Sequence, residues 1–134
     1  MSPNDSSLNF TNIINGEYYQ EWSDSLGRLH REGGPAVVWL NGTEEWWYHG
    51  KLHREDGPAF IRPNVTREWY KDGKVHRIDG PAIIMDDGRS FWHINGYRVD
   101  KKIHKWAKDR NIDLDNLTEM DKMIIELEWG NYHE

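Results

Sequence analysis

A chain of 134 residues can form one domain with its own core, but it is short for two. It contains no cysteine, which excludes disulfide bonds, a thiolate nucleophile and zinc–thiolate sites, and favours a reducing compartment. The net charge of −6 disfavours duplex nucleic acid as a ligand, since phosphate contacts dominate that affinity. Residues 1–7 are polar and no apolar run is as long as a membrane span, so we expect a cytoplasmic protein without membrane contact.

Residues 1–26 are predicted to form N-terminal cap strands. Phe10–Trp22 has the composition of a strand pair, and Asn15-Gly16 suits the tight turn between its two strands. A cap is expected here because the first strand of an open sheet otherwise presents unpaired backbone groups.

Residues 27–99 contain three tandem repeats of 23 residues, marked by glycines that recur at that spacing. After each of the first three glycines come a basic residue, an aliphatic residue, His and Arg, then a turn and Gly-Pro-Ala. The glycines are Gly27, Gly50, Gly73 and Gly96, and the Gly-Pro-Ala segments are 34–36, 57–59 and 80–82. Four residues before three of these glycines stand Trp46, Trp69 and Trp92.

Each repeat is predicted to contain two short strands. A β-branched or aromatic run follows each Gly-Pro-Ala, and a segment containing the recurring tryptophan then returns. The first strands are predicted at Ala36–Leu40, Ala59–Ile61 and Ala82–Met85, and the return strands at Glu45–Tyr48, Arg67–Tyr70 and Ser90–His93. The turns between them are Asn41-Gly42, Pro63-Asn64 and Asp87-Gly88.

The 23-residue period, the Asp-Gly-Lys-x-His stretch at 72–76 and the recurring tryptophan strand resemble MORN repeats. The His-Arg-x-Asp-Gly-Pro-Ala segment at 76–82 is more closely similar to repeat proteins of unknown role in bacteriophages and large DNA viruses. The resemblance covers residues 16–99 and implies an open twisted antiparallel sheet of successive β-hairpins. The chain departs from the pattern in lacking Tyr-x-Gly-x-Trp, and in having Gly33 where the other copies have Asp56 and Asp79.

Residues 100–134 are predicted to form a C-terminal cap of two helices, near 100–110 and 118–128, which makes the whole chain a mainly β, α+β domain. Asp100 is the expected N-cap of the first helix, and Thr118–Asp121 suit a capping box that starts the second. Met120, Met123, Ile124 and Leu127 are spaced as one apolar helix face, which we expect to fold back on the sheet. Docking of this face on a partner is the alternative.

The three histidines of the repeats, His30, His53 and His76, are predicted to be structural. Equivalent positions in successive hairpins lie two strands, or roughly 9.5 Å, apart, whereas zinc needs ligand nitrogens at about 2 Å. We expect these histidines and the neighbouring arginines to hydrogen-bond the backbone of adjacent turns, with Arg54 and Arg77 pairing with Asp56 and Asp79. No metal or cofactor is expected.

The chain has none of the common nucleophile, phosphate-loop or metalloprotease motifs, so we predict a protein without enzymatic activity. Eight tryptophans offer the large, rigid contact area that anchors protein interfaces. The candidate anchors are Trp39, Trp46, Trp47, Tyr70 and Trp92.

Given the viral resemblance, we expect a phage accessory protein that binds a host protein and inhibits a defence enzyme, as anti-CRISPR proteins do. One alternative is a structural adaptor. The other is a sponge for a cyclic-nucleotide immune signal, in which Arg31, Arg54 or Arg77 would hold the phosphate.

Overall fold

The structure is a computed structural model that describes residues 12–134. Residues 1–11, the first part of the predicted N-terminal cap, lie outside this range. The described part of the chain forms fourteen short strands followed by two helices. They are β1 (Asn12–Ile14), β2 (Glu17–Glu21), β3 (Val37–Trp39), β4 (Glu44–Glu45), β5 (Trp47–Tyr48), β6 (Lys51–Leu52), β7 (Phe60–Arg62), β8 (Thr66–Glu68), β9 (Tyr70–Lys71), β10 (Lys74–Val75), β11 (Ile83–Met85), β12 (Ser90–Phe91), β13 (His93–Ile94), β14 (Tyr97–Arg98), α1 (Asp100–Asp109) and α2 (Glu119–Trp129).

An eight-stranded sheet runs through all the repeats, and every pairing in it is antiparallel. Its order is β1-β2-β3-β4-β7-β8-β11-β12, so its strands keep their chain order while β5-β6 and β9-β10 lie outside the sheet. The predicted turns join these strands, and in the one without glycine Asn64 takes the left-handed backbone conformation, with φ of 59°. The prediction of a mainly β antiparallel fold with C-terminal helices is confirmed.

The return strands differ from the prediction, because each one is interrupted at its tryptophan. Residues before the tryptophan pair within the long sheet, and residues after it pair in separate two-stranded hairpins, β5-β6, β9-β10 and β13-β14. The backbone of Trp46 explains the switch: its N–H donates to Ala59 O at 2.7 Å, and its carbonyl accepts from His53 N at 3.0 Å. Trp69 makes the equivalent bonds, to Ala82 O and from His76 N, so both tryptophans connect the long sheet to a hairpin.

The helices lie close to their predicted bounds. Thr118 forms the predicted capping box with Asp121 at the start of α2. The prediction that Asp100 caps α1 is wrong, because α1 already includes Asp100 and follows Val99. The Asp100 carboxylate instead accepts hydrogen bonds from the Trp92 backbone N–H, at 2.9 Å, and from Arg98, at 2.7 Å.

The main hydrophobic core lies where the last repeat meets the helices. Its buried members are Trp92, Ile94, Val99, Ile103, Ile125 and Trp129. The predicted packing face of α2 is wrong, since Ile125 and Trp129 face this core while Met120, Met123 and Leu127 are exposed. In the repeats away from this core, Ala36, Ala59 and Ala82 are fully buried in equivalent places, and Val37 and Thr43 are also buried.

Candidate functional site

Each repeat arginine stacks on a tryptophan, and this contact organises the surface between repeats. The guanidinium carbon of Arg54 lies 3.7 Å from the ring centroid of Trp46, and that of Arg77 lies 3.9 Å from the ring of Trp69. Arg31 makes the same contact with Trp22, at 3.9 Å. Trp22 is therefore the first member of the tryptophan column, a position that was not predicted from the sequence.

The arginines also hold the loop that contains the Gly-Pro-Ala segment. Arg77 Nε donates to Asp79 Oδ1 at 2.9 Å, and its Nη1 donates to Pro81 O at 3.1 Å. Arg54 makes the equivalent bonds to Asp56 and to Pro58 O. The predicted Arg–Asp pairs are thus present.

These contacts bear on the nucleotide-sponge alternative. In the units of Arg54 and Arg77, the guanidinium group already has an aromatic face, a carboxylate and a carbonyl as intramolecular partners. A phosphate would have to compete with all three, so the geometry favours a structural role for these arginines.

Each repeat histidine supports the turn of the following repeat. The Nδ1 atoms of His30, His53 and His76 accept hydrogen bonds from the backbone N–H groups of His49, Asp72 and Asn95, at 2.9–3.0 Å. All three donors have positive φ, so the histidines stabilise the most constrained residue of each turn. The predicted hydrogen bonds to neighbouring turns are present.

We expect His76 to make stability depend on pH. Burial lowers the pKa of His76, with Lys71 adding to the shift and Glu126 opposing it. The folded state then favours the neutral ring. The contribution of His76 to the free energy of unfolding is therefore complete above the unfolded-state pKa of about 6.5 and is lost as pH falls below that value. His76→Ala should cost about 1 kcal/mol at neutral pH, since the Asn95 N–H loses its acceptor.

The control is His76→Asn, which retains an acceptor near the Nδ1 position but cannot titrate. Urea unfolding at pH 8.0 and pH 5.0 (about one and a half units to either side of the reference pKa) measures both effects. A fall in stability towards pH 5 that is the same in wild type and His76→Asn would contradict the assignment.

The first repeat has an additional polar cluster. His49 donates from Nδ1 to Asp24 Oδ2 at 2.7 Å, and its ring stacks on that of His30 with 3.8 Å between centroids. The hydrogen bond from His49, with further bonds from Arg28 and Leu26, lowers the pKa of Asp24 well below its usual range. Elsewhere Asp72 and Asn95 occupy the place of His49, so this cluster belongs to one unit only.

Two equivalent open grooves lie between successive repeats on the hairpin side. One has a volume of about 650 Å³ and runs between residues 31–33 and 71–72 past Trp47 and Tyr48. The other, of about 540 Å³, is its counterpart one repeat later, past Tyr70, and it extends to Glu126 of α2. Arg54, Glu55, Asp56 and Lys71 line both grooves.

Carboxylates outnumber cationic side chains in both grooves, by four to three in each. The cations are Lys71 and the arginines, which keep their positive charge while they stack on tryptophan. The lining carboxylates are Glu32, Glu55, Asp56, Asp72, Asp79 and Glu126. Half or more of each of the first five carboxylate side chains is exposed to solvent. The grooves therefore present negative charge around partly exposed aromatic rings.

The predicted aromatic anchors occupy different environments. Trp92 is only 4% exposed and belongs to the core, so its prediction as an anchor is wrong. The other four are half-buried: Trp46 lies under Arg54, Trp39 lies against Tyr19, and Trp47 and Tyr70 line the grooves. Burial and the adjacent Glu68, which accepts from the Tyr70 hydroxyl at 3.0 Å, raise the pKa of Tyr70 to about 12.

Tyr48 and the rim carboxylates are surface features that were not predicted from the sequence. Tyr48 is 45% exposed and packs against His30 and His49. Four of these acidic residues, Glu32, Glu55, Asp56 and Asp79, stand between His-Arg and Gly-Pro-Ala, so their position was detectable, but the turn that they form accounts for them equally well. Asp72 lies in the next hairpin turn and Glu126 on α2. Within residues 12–134, no three His, Asp or Glu side chains are grouped so that they could hold a metal ion.

The fold and grooves define a β-hairpin repeat protein with a helical C-terminal cap and an acidic, aromatic-lined surface between its repeats. Comparisons with models of protein families, with curated proteins and with solved structures found no match to this chain. Neither helix in the described range is long and apolar enough to cross a membrane.

Proposed function

We propose that the protein is a non-enzymatic binding module that holds a partner protein by inserting the partner's basic side chains into the two grooves. The observation that carries this proposal is the repetition of one groove in successive repeats, each with a carboxylate rim and aromatic lining. Complementary charge supplies orientation and on-rate, and the aromatic rings supply contact area.

The spacing of the grooves favours a partner that contacts both. Successive repeats advance by two strands of the long sheet, or roughly 9.5 Å. Two basic residues of one partner surface can occupy both grooves at this distance, and the second contact then forms without a further loss of translational freedom.

The narrower hypothesis of a phage protein that inhibits a host defence enzyme rests on the sequence resemblance. In that case the partner is a host protein with a basic surface.

The test begins with affinity capture from host cells, followed by mass spectrometry of co-eluting protein and nucleotide. The captured protein is then purified and titrated against wild type and a variant with Glu32→Lys, Glu55→Lys and Asp72→Lys. We expect binding by the variant to be at least about tenfold weaker, because like charges now face each other. Its thermal midpoint should fall only modestly, since exposed ion pairs contribute about 0–1 kcal/mol each and lysine is less favoured than aspartate at the positive φ of residue 72.

The matched control reverses three exposed carboxylates outside the two grooves, with Glu17→Lys, Glu21→Lys and Asp86→Lys, and so makes the same change in net charge. It should bind within about twofold of wild type, since the reversed charges lie outside the surface that the partner is proposed to contact. Equal losses in both triple variants would mean that only net charge matters. A co-eluting compound that absorbs near 260 nm (the absorbance of a nucleic-acid base), with no captured protein, would support the sponge alternative instead.

A further inference from the structure

Helix α2 presents an apolar stripe to solvent. Met120, Met123 and Leu127 are 63%, 60% and 82% exposed, and they lie on one face of the helix at spacings of three and four residues. The opposite face is already occupied, since Ile125 and Trp129 are buried in the core. Single exposed apolar residues are common, but three on the same face of an 11-residue helix form a continuous patch.

Carboxylates border this stripe on both sides. At about 100° per residue, Glu119 and Glu126 lie along one edge of the stripe, and Glu128 lies along the other. Within 111–134 there are seven acidic residues and one basic residue, Lys122, and Lys122 pairs with Glu119 at 3.1 Å. Glu128 also pairs with Arg110 at 3.4 Å and accepts a hydrogen bond from Trp106 Nε1. The patch is therefore apolar in the middle, with its net negative charge mainly along the edge of Glu119 and Glu126.

We infer that this face of α2 is a docking surface for a basic amphipathic segment of a partner protein, with apolar residues against the stripe and Lys or Arg against its acidic edges. Helices with apolar residues at such spacings are bound in this way by complementary grooves and helices. The docking surface goes beyond the binding at the grooves, because the stripe contributes no residue to either groove.

Charge argues against two other occupants of the stripe. A second copy of this chain would bring its own acidic edges against those of the first, and like charges at close range oppose association. Anionic membrane surfaces attract helices with basic flanks, whereas this stripe is flanked by carboxylates. A basic amphipathic protein segment satisfies both the apolar stripe and its edges.

The test uses a synthetic peptide of about two heptads, with leucines on one face and lysines on the other, and a scrambled peptide of the same composition. Fluorescence anisotropy measures binding to the full-length protein. We expect the amphipathic peptide to bind and the scrambled peptide to bind at least about tenfold more weakly, because only the first aligns apolar and basic faces. Met120→Gln, Met123→Gln and Leu127→Gln together should weaken binding by about tenfold or more, since burial of the stripe is lost.

Three control variants test whether the stripe and its acidic edges themselves bind the peptide. Leu26→Gln with Leu40→Gln removes exposed apolar residues elsewhere and should leave peptide binding unchanged. The groove variant with Glu32→Lys, Glu55→Lys and Asp72→Lys should also keep it, so that failure of the groove proposal and failure of this one are distinguishable. Glu119→Gln with Glu126→Gln should reduce the salt dependence of binding.

Several results would overturn the inference. Equal binding of the two peptides would show that charge alone drives association, and unchanged binding by the glutamine triple variant would place the peptide elsewhere. A wild-type dimer in sedimentation equilibrium that the same triple variant abolishes would show that a second copy covers the stripe.

Discussion

Replacing Trp92 with alanine is expected to lower the free energy of unfolding by about 3–5 kcal/mol, as truncation of a buried aromatic residue does. Trp92 is 4% exposed and packs with Ile94 and Val99 of its own repeat and with both helices. Its backbone N–H is also bound by the Asp100 carboxylate, so the surrounding structure is held in place and cannot collapse into the cavity. Urea unfolding followed by far-ultraviolet circular dichroism measures the loss.

Trp47→Ala is the matched comparison for Trp92→Ala. Trp47 is half-buried on the surface of a groove, with its Nε1 donating to Glu45 at 3.0 Å. We expect a loss of stability less than half of that at Trp92, because less apolar surface returns to water. If Trp92→Ala cost less than about 1 kcal/mol, the end of the repeat array would not share one core with the helices.

Replacing Gly80 with alanine is expected to cost about 2 kcal/mol, through crowding of the Arg77 guanidinium group. A Cβ built on Gly80 lies 2.7 Å from Arg77 Cζ and 2.8 Å from Nη1, which is closer than nonbonded atoms approach. A free arginine would move aside at little cost. Arg77, however, is held by the Trp69 ring, by Asp79 and by the Pro81 carbonyl, so its displacement loses these contacts.

The double variant Arg77→Ala, Gly80→Ala tests this reason directly. Without the guanidinium group the Cβ has room, and alanine then restricts the unfolded chain more than glycine does. In the Arg77→Ala background we therefore expect Gly80→Ala to be neutral or slightly stabilising. A cost at Gly80 that is the same with and without the arginine would show that the backbone, and not the close approach of Arg77, requires glycine.

The periodic part of the fold was predictable because it is local. Strand, turn and helix positions follow from patterns within a few residues. The hydrogen bond that each histidine accepts from the next turn follows from the repeat period. The interruption of the strands at Trp46, Trp69 and Trp92 was not predictable in this way. The alternation of side chains continues through each tryptophan, and only the hydrogen-bond partner of its backbone changes.

Two further differences have specific causes. Trp22 was not recognised as a member of the column because it lies five positions before Gly27, whereas Trp46 lies four positions before Gly50. On α2 the sequence offers two apolar faces, Met120-Met123-Leu127 and Ile125-Trp129, and spacing alone does not choose between them. The choice depends on the shape of the core around Trp92 and Ile103, which is a tertiary property.

The surface between the repeats was only partly predictable. Its aromatic residues were identified from their excess and their periodicity, and Trp47 and Tyr70 do line the grooves. The sequence could not show that Arg54 and Arg77 would cover the faces of Trp46 and Trp69. That contact joins residues eight apart in the chain, and it depends on how the hairpin folds over the long sheet.

His30, His53 and His76 each accept a hydrogen bond from a residue further along the chain, in the turn of the following unit. The last of them reaches Asn95, whose side chain in turn donates to the carbonyl oxygens of Gly130 and Tyr132 beyond α2. Each unit therefore depends on the hairpin turn that follows it, and the last of these turns is held by the segment after α2. Gain or loss of whole 23-residue steps among the later repeats would keep these hydrogen bonds, so the number of grooves can change while the turn that contacts the end of α2 stays the same.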